Sequence, residues 1–288
     1  MSDRSKPYYS VRTGKNPAAA LDLPILRQMF LVVYKELYRG GYFDESFGSR
    51  CVDAGDIPGT LGSDIEGVMF VKLRKSSLWP VGEKIVNYSE DDLFDVIEFL
   101  FDHIAKPVDG HYHPYNDCGM HWSTFNRVEG QNEFRERVNR LLSDYAEGCS
   151  LSERGEIFDA PASGMETLIE ADLPAHDPLN VEGRVQTAVE KFRRHRASLE
   201  DRRDALRDLA DVLEFLRPQI RGVLLSKDES DLFNIANNFG IRHHNQLQKT
   251  NYDQPIWYSW IFYYYLATIH ACLRLLKKQP DQDRTHAG

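Results

Sequence analysis

Apolar positions recur along this chain at the spacing of helices. Leu26, Met29, Phe30, Val33 and Leu37 fall three and four apart, which lines one helical face, and the run starts after Asp22 and stops at Gly40-Gly41. A second run, Ile65, Val68, Met69 and Leu73, follows the glycine-rich stretch Gly55 to Gly62, with Ser63 as the expected N-cap and Trp79-Pro80 as the stop. So short an apolar run is also compatible with a strand. Ser89 followed by Asp92 has the form of a capping box and predicts a helix through Leu93, Val96, Ile97, Leu100, Phe101 and Ile104, ending before Pro107. Phe134, Val138, Leu141 and Leu142 predict another over 132–145.

From 148 to 178 the periodicity breaks into glycine, proline and short apolar pieces, with a small hairpin expected around Gly155. Beyond it four helices are expected: 181–195, 199–216, 231–245 and 256–276. Ser198 and Asp201 form a second capping box, and Leu199, Leu206, Leu209, Leu213 and Leu216 make an apolar stripe that Pro218 is expected to end. The expectation is a mainly α protein: an arm over 1–16 pinned by Tyr8-Tyr9, an N-terminal helical domain over 17–150, a linker over 151–179, a helical bundle over 180–278 and a polar tail over 279–288.

Composition narrows the function classes. A hydrophobic content of 42% in 288 residues supports real cores, and a formal net charge of -9 argues against indiscriminate nucleic-acid binding. No basic-then-apolar leader opens the sequence, and the most apolar run, Ile256 to Leu276, is interrupted by tyrosines, His270 and Arg274, so the expected location is the cytoplasm, with no membrane partner. Four cysteines, Cys51, Cys118, Cys149 and Cys272, lack paired spacing and read as free thiols.

Candidate chemistry concentrates at Arg242-His243-His244-Asn245, at the end of the third helix of the expected bundle. A guanidinium grips phosphate, and imidazoles exchange protons near neutral pH. The plainer reading is that these cations satisfy carbonyls at a helix C-terminus. A helical bundle whose third helix ends in such a cluster resembles the HEPN domains of prokaryotic toxin and abortive-infection systems. That resemblance covers about 100 residues, 181–277. It implies a metal-independent endoribonuclease, or an RNA-binding effector, of an antiviral defence system. Arg242, His243, His244 and Asn245 would be its catalytic residues, Asn238, Gln248, Arg202 and Arg203 would contact substrate, and no cofactor would be needed. It also implies a homodimer, with the aromatic fourth helix as a place for self-association. The family's arginine is followed at a distance by a histidine, whereas 247–249 here hold Leu247, Gln248 and Lys249. The alternative is a non-catalytic interaction or sensor module that binds a protein partner.

Two further clusters carry weight. In the run from His111 to His121, the side chains of His111, His113, Cys118 and His121 are of the types that bind zinc, and one loop can wrap them around a tetrahedral ion. The competing reading packs these rings over the preceding helix, with Cys118 as a small hydrophobe. The arginines from Arg193 to Arg207 suit phosphate contact, but the interleaved acids at three and four residues also make ordinary helix-surface pairs.

Overall fold

Asp22 opens the first long helix by accepting the Ile25 amide on its side chain at 2.9 Å, and Gly40 closes it. The structure is a computed structural model that describes residues 8–14, 21–221 and 253–278. The chain divides into two units, 1–160 and 161–288. Most described residues are helical, and the strands pair into three two-stranded antiparallel sheets.

The first unit opens with α1 (Tyr9–Arg12), α2 (Leu23–Arg39) and α3 (Asp44–Phe47), followed by the hairpin β1 (Ser49–Cys51) and β2 (Gly55–Ile57). Next come α4 (Ile65–Leu73), α5 (Val81–Lys84) and α6 (Glu90–His103), then the long hairpin β3 (Lys106–His113) and β4 (Gly119–Asn126). The unit ends with α7 (Arg127–Leu142) and the hairpin β5 (Cys149–Leu151) and β6 (Ile157–Asp159). The capping box at Ser89 forms as expected: the Asp92 amide donates to Ser89 Oγ at 3.1 Å and the Ser89 amide to Asp92 Oδ2 at 3.0 Å. Buried Leu26, Phe30, Leu93, Ile97, Leu100 and Phe134 build the core, in which Phe30 meets Phe134 edge-on at 6.3 Å.

Several expectations need correction. The first unit is mainly helical and its hairpin around Gly155 is as expected, but the stretches around Cys51 and His111 also fold as hairpins, which the expectation of a helical domain does not include. Asp64, not Ser63, caps α4, accepting the Gly67 amide at 2.8 Å, and the helix ends at Leu73. α7 begins at Arg127, since Asn126 caps it through the Glu129 amide at 3.1 Å. The Gly155 hairpin is part of the first unit, held by β5–β6 pairing and by Asn139 of α7, which bonds both the amide and the carbonyl of Leu151. Tyr8 and Tyr9 do not pin the arm by burial, because both are largely exposed.

Among its described residues the second unit has α8 (Glu166–Ile169), a π turn at Pro178–Glu182, α9 (Gly183–Arg193), α10 (Leu199–Ile220) and α11 (Gln254–Lys278). Ser198 and Asp201 complete their capping box. Pro218 lies inside the last turn of α10 rather than ending it, since it forfeits a single backbone bond two residues from the helix end. α10 packs along both α9 and α11, with Phe192 of α9 stacked on Phe262 of α11 at 3.9 Å. The helix expected over 231–245 lies outside the described residues.

Candidate metal centre

The β3–β4 ladder turns a histidine-rich stretch into a surface of defined register. His111 stands directly across from His121, and His113 across from Gly119. Alternation along a strand puts His111 and His113 on one face, and the cross-strand pairing puts His121 beside them. The tip between the strands turns tightly. Asn116 and Asp117 adopt left-handed backbone, at φ 52 and 55, and Gly119 follows at φ 99. Those are residue types that tolerate this region, and the turn swings Cys118 back over the ladder.

The fourth side chain arrives from the other hairpin. Sulfur atoms of Cys51 and Cys118 and ring nitrogens of His113 and His121 all lie within 4.8 Å of one another. Cys51 Sγ is 3.8 Å from His113 Nδ1, and Cys118 Sγ is 3.2 Å from His121 Nε2. Zinc bonds of about 2.3 Å to sulfur and about 2.0 Å to nitrogen place neighbouring S and N atoms of a tetrahedron about 3.6 Å apart. The two separations bracket that edge, so the group has the size of a Cys2His2 zinc site.

The surroundings suit an ion as well. Three consecutive amides in the β1–β2 turn face the sulfurs. The Ala54 and Asp53 amides donate to Cys51, and the Val52 amide to Cys118 Sγ at 3.4 Å. The Ala54 hydrogen bond, then that of Asp53, holds the Cys51 thiol below its ordinary value, which favours the thiolate that binds metal. Asp53 Oδ2 lies 3.3 Å from His113 Nε2, the ring nitrogen that faces away from Cys51. A carboxylate there fixes the tautomer that leaves Nδ1 free to ligate, an arrangement common behind metal-ligating histidines. Two thiolates would also neutralise a divalent cation, which removes most of the cost of holding it half-buried.

The body of the unit fixes both hairpins. Trp122 of β4 lies against Gly41, where a Cβ would come within 2.4 Å of its indole nitrogen. Lys106 at the start of β3 pairs with Glu129 at 2.5 Å and Glu133 at 2.8 Å on α7. Arg127 donates to the Asp102 carbonyl at 2.8 Å and pairs with Glu45 of α3 at 3.5 Å.

Of the ligands expected from sequence, His113, Cys118 and His121 come together and His111 does not join them. Its ring stacks on His121 at a centroid distance of 5.4 Å, and Cys51 takes the fourth place. The missed candidate, Cys51, left a faint signal, a cysteine followed by the turn-forming Asp53-Ala54-Gly55, but nothing local tied that turn to Cys118.

Two of the other expected site residues fall in the second unit. Arg202 and Arg203 lie on α10, the Arg202 guanidinium 5.4 Å from the centre of the Phe192 ring. Arg242, His243, His244, Asn245, Asn238 and Gln248 lie outside the described residues. On α11, Tyr258, Phe262 and Tyr265 are buried while Trp257 and Trp260 are partly exposed. Among the described residues no helix is long and apolar enough to cross a membrane. No protein-family model, curated protein or solved structure matches the chain.

Proposed function

We propose that the first unit is a zinc-dependent, non-catalytic interaction module. The observation that carries this reading is the convergence of Cys51, His113, Cys118 and His121 within 4.8 Å, from two hairpins, with Asp53 behind one histidine. Four protein ligands fill a tetrahedral ion, which is the arrangement of structural zinc, whereas catalytic zinc keeps a position open. The metal would clamp β1–β2, whose three-residue strands bury little on their own, to the β3–β4 tip. The back of that tip displays Tyr112 and Met120, cross-strand neighbours that are both exposed, with Asp117 Oδ1 3.4 Å from the Tyr112 hydroxyl. An aromatic and a thioether side chain beside a carboxylate suit a polypeptide partner better than phosphate.

Total metal analysis of untagged protein tests the centre. About one equivalent of zinc is expected, and cobalt substitution should give the intense visible bands of a tetrahedral thiolate site that Cys51→Ala and His113→Ala abolish. Less than about a few tenths of an equivalent, with no cobalt uptake, sinks the reading.

For the second unit we propose a bundle of the HEPN kind that binds or cleaves RNA. Support comes from Arg203, whose Nε and Nη2 have no hydrogen-bond partner among the described residues, donors that a phosphate oxygen would satisfy. Arg242, with His243 or His244, would then supply the chemistry, in a homodimer and without metal. Incubation with total tRNA and EDTA, alongside an Arg242→Ala, His244→Ala double variant, decides it: cleavage by the wild type alone supports the nuclease, and equal inactivity that persists with candidate activating partners favours the interaction module.

A further inference from the structure

Cys51 and Cys118 are brought within 4.8 Å of each other from separate hairpins. We infer that this pair is an oxidation site for hydroperoxides, at which closing a disulfide expels the metal. The inference rests on the zinc reading above and adds what regulates that site.

Geometry favours the pair over the other thiols. In a zinc tetrahedron the two sulfurs sit about 3.8 Å apart. Closing to the disulfide length of about 2.05 Å takes a small movement of two turns, not a rearrangement of the core. Cys118 is only half-buried, and Asp53 beside the centre is 60% exposed on its side chain, so a small oxidant reaches the cluster from solvent. The Val52 amide donates to the Cys118 sulfur, and the Asp53 and Ala54 amides donate to that of Cys51, so both sulfurs are held in place by the same turn. Cys149 and Cys272 contrast with them. Both are buried, and burial pushes their thiols up, that of Cys149 to about 11.

The chemistry balances with hydrogen peroxide as the oxidant. One metal-bound thiolate attacks a peroxide oxygen, the O–O bond breaks, hydroxide leaves and the sulfur becomes a sulfenic acid. The second thiolate attacks that sulfur, the S–S bond forms and a second hydroxide leaves. Two electrons have passed from the sulfurs to the peroxide, and both metal–sulfur bonds are gone. His113 and His121 alone are too few to retain zinc, so the ion departs. A thiol reductant with zinc reverses the sequence. The disulfide joins the same two hairpins that the metal joined, so oxidation exchanges one clamp for another.

The test uses the full zinc-loaded chain, titrated with hydrogen peroxide in the presence of a chromogenic zinc chelator. About one equivalent of zinc should appear as two of the four thiols disappear. Non-reducing digestion should give a single linked peptide pair containing Cys51 and Cys118, and dithiothreitol with zinc should restore the starting state. Cys149→Ser and Cys272→Ser should respond as the wild type does. Zinc retained at peroxide concentrations that oxidise ordinary protein thiols overturns the inference, as does a sulfinic acid at either cysteine in place of the disulfide. Those results leave the zinc reading standing. Protein that holds no zinc and takes up no cobalt overturns both.

Discussion

Asp53 holds His113 from behind: its carboxylate lies 3.3 Å from Nε2 while Nδ1 faces the Cys51 sulfur at 3.8 Å. The side chain that orients this ligand therefore comes from the turn that delivers Cys51. Asp53→Ala removes the acceptor and lets the ring choose either tautomer. Metal affinity should fall about 10- to 100-fold, read by competition with a chromophoric chelator. An unchanged affinity would make Asp53 a mere surface neighbour.

Removing the ion should loosen one end of the first unit and spare the rest. The β1–β2 hairpin has three residues per strand and an exposed second strand, so it has little else to hold it. In amide hydrogen exchange, chelation should strip protection from 49–57 and from the 115–121 tip. Buried helices such as α6, with Leu93, Ile97 and Leu100, should keep theirs. Uniform loss across both would mean that the metal supports the entire unit.

His103 predicts how the first unit answers acid. It is 8% exposed, its Nε2 lies 2.9 Å from Lys72 Nζ, and burial, then Lys72 and Arg127, lowers its pKa from 6.5 to about 4. The folded state thus prefers neutral imidazole accepting from the lysine, and the unfolded chain binds the proton more readily. Its contribution is complete above pH 6.5 and is lost as pH falls through about 4. At about 1.4 kcal/mol per unit the loss reaches about 3 kcal/mol at most. Urea midpoints of wild type and His103→Gln should therefore converge as pH drops from 7 to 4. Taking the difference between the two proteins cancels any contribution from ligand protonation at the metal, and parallel curves would contradict the assignment.

Gly130 tests the joint between α7 and the long hairpin. Replacing a helical glycine by alanine ordinarily stabilises by up to about 1 kcal/mol. Here an added Cβ would lie 2.5 Å from the Lys106 amide nitrogen and 2.8 Å from the Ala105 backbone, which cannot swing away. Gly130→Ala should instead destabilise by about 1–3 kcal/mol, seen as a lower thermal midpoint. A raised midpoint would show that the backbone yields.

Features that depend on near neighbours along the chain are legible in the amino-acid sequence. Ser89 and Asp92, and Ser198 and Asp201, announce helix starts because a capping box closes within four residues. His113, Cys118 and His121 stand out for the same reason. Cys51 does not, because it joins the candidate site only when one hairpin is laid beside another. His111 looks equivalent to His113, yet the register sets it opposite His121, where it stacks on that ring. The start of α7 is obscured by Gly130, a poor helix former placed there by a backbone contact that periodicity does not reveal. The Arg242 to Asn245 cluster falls outside the described residues, so its reading rests on the sequence.

The distance along the chain between the two hairpins carries a last consequence. Val52, whose amide meets Cys118, precedes it by 66 residues. During synthesis the first thiol is therefore exposed while α4, α5, α6 and β3 are still being made, with no complete set of donors to receive an ion. Closing so long a loop is entropically costly unless the intervening helices have already packed. Metal capture would then act as a late checkpoint in biogenesis, completed only by chains whose N-terminal core has assembled correctly.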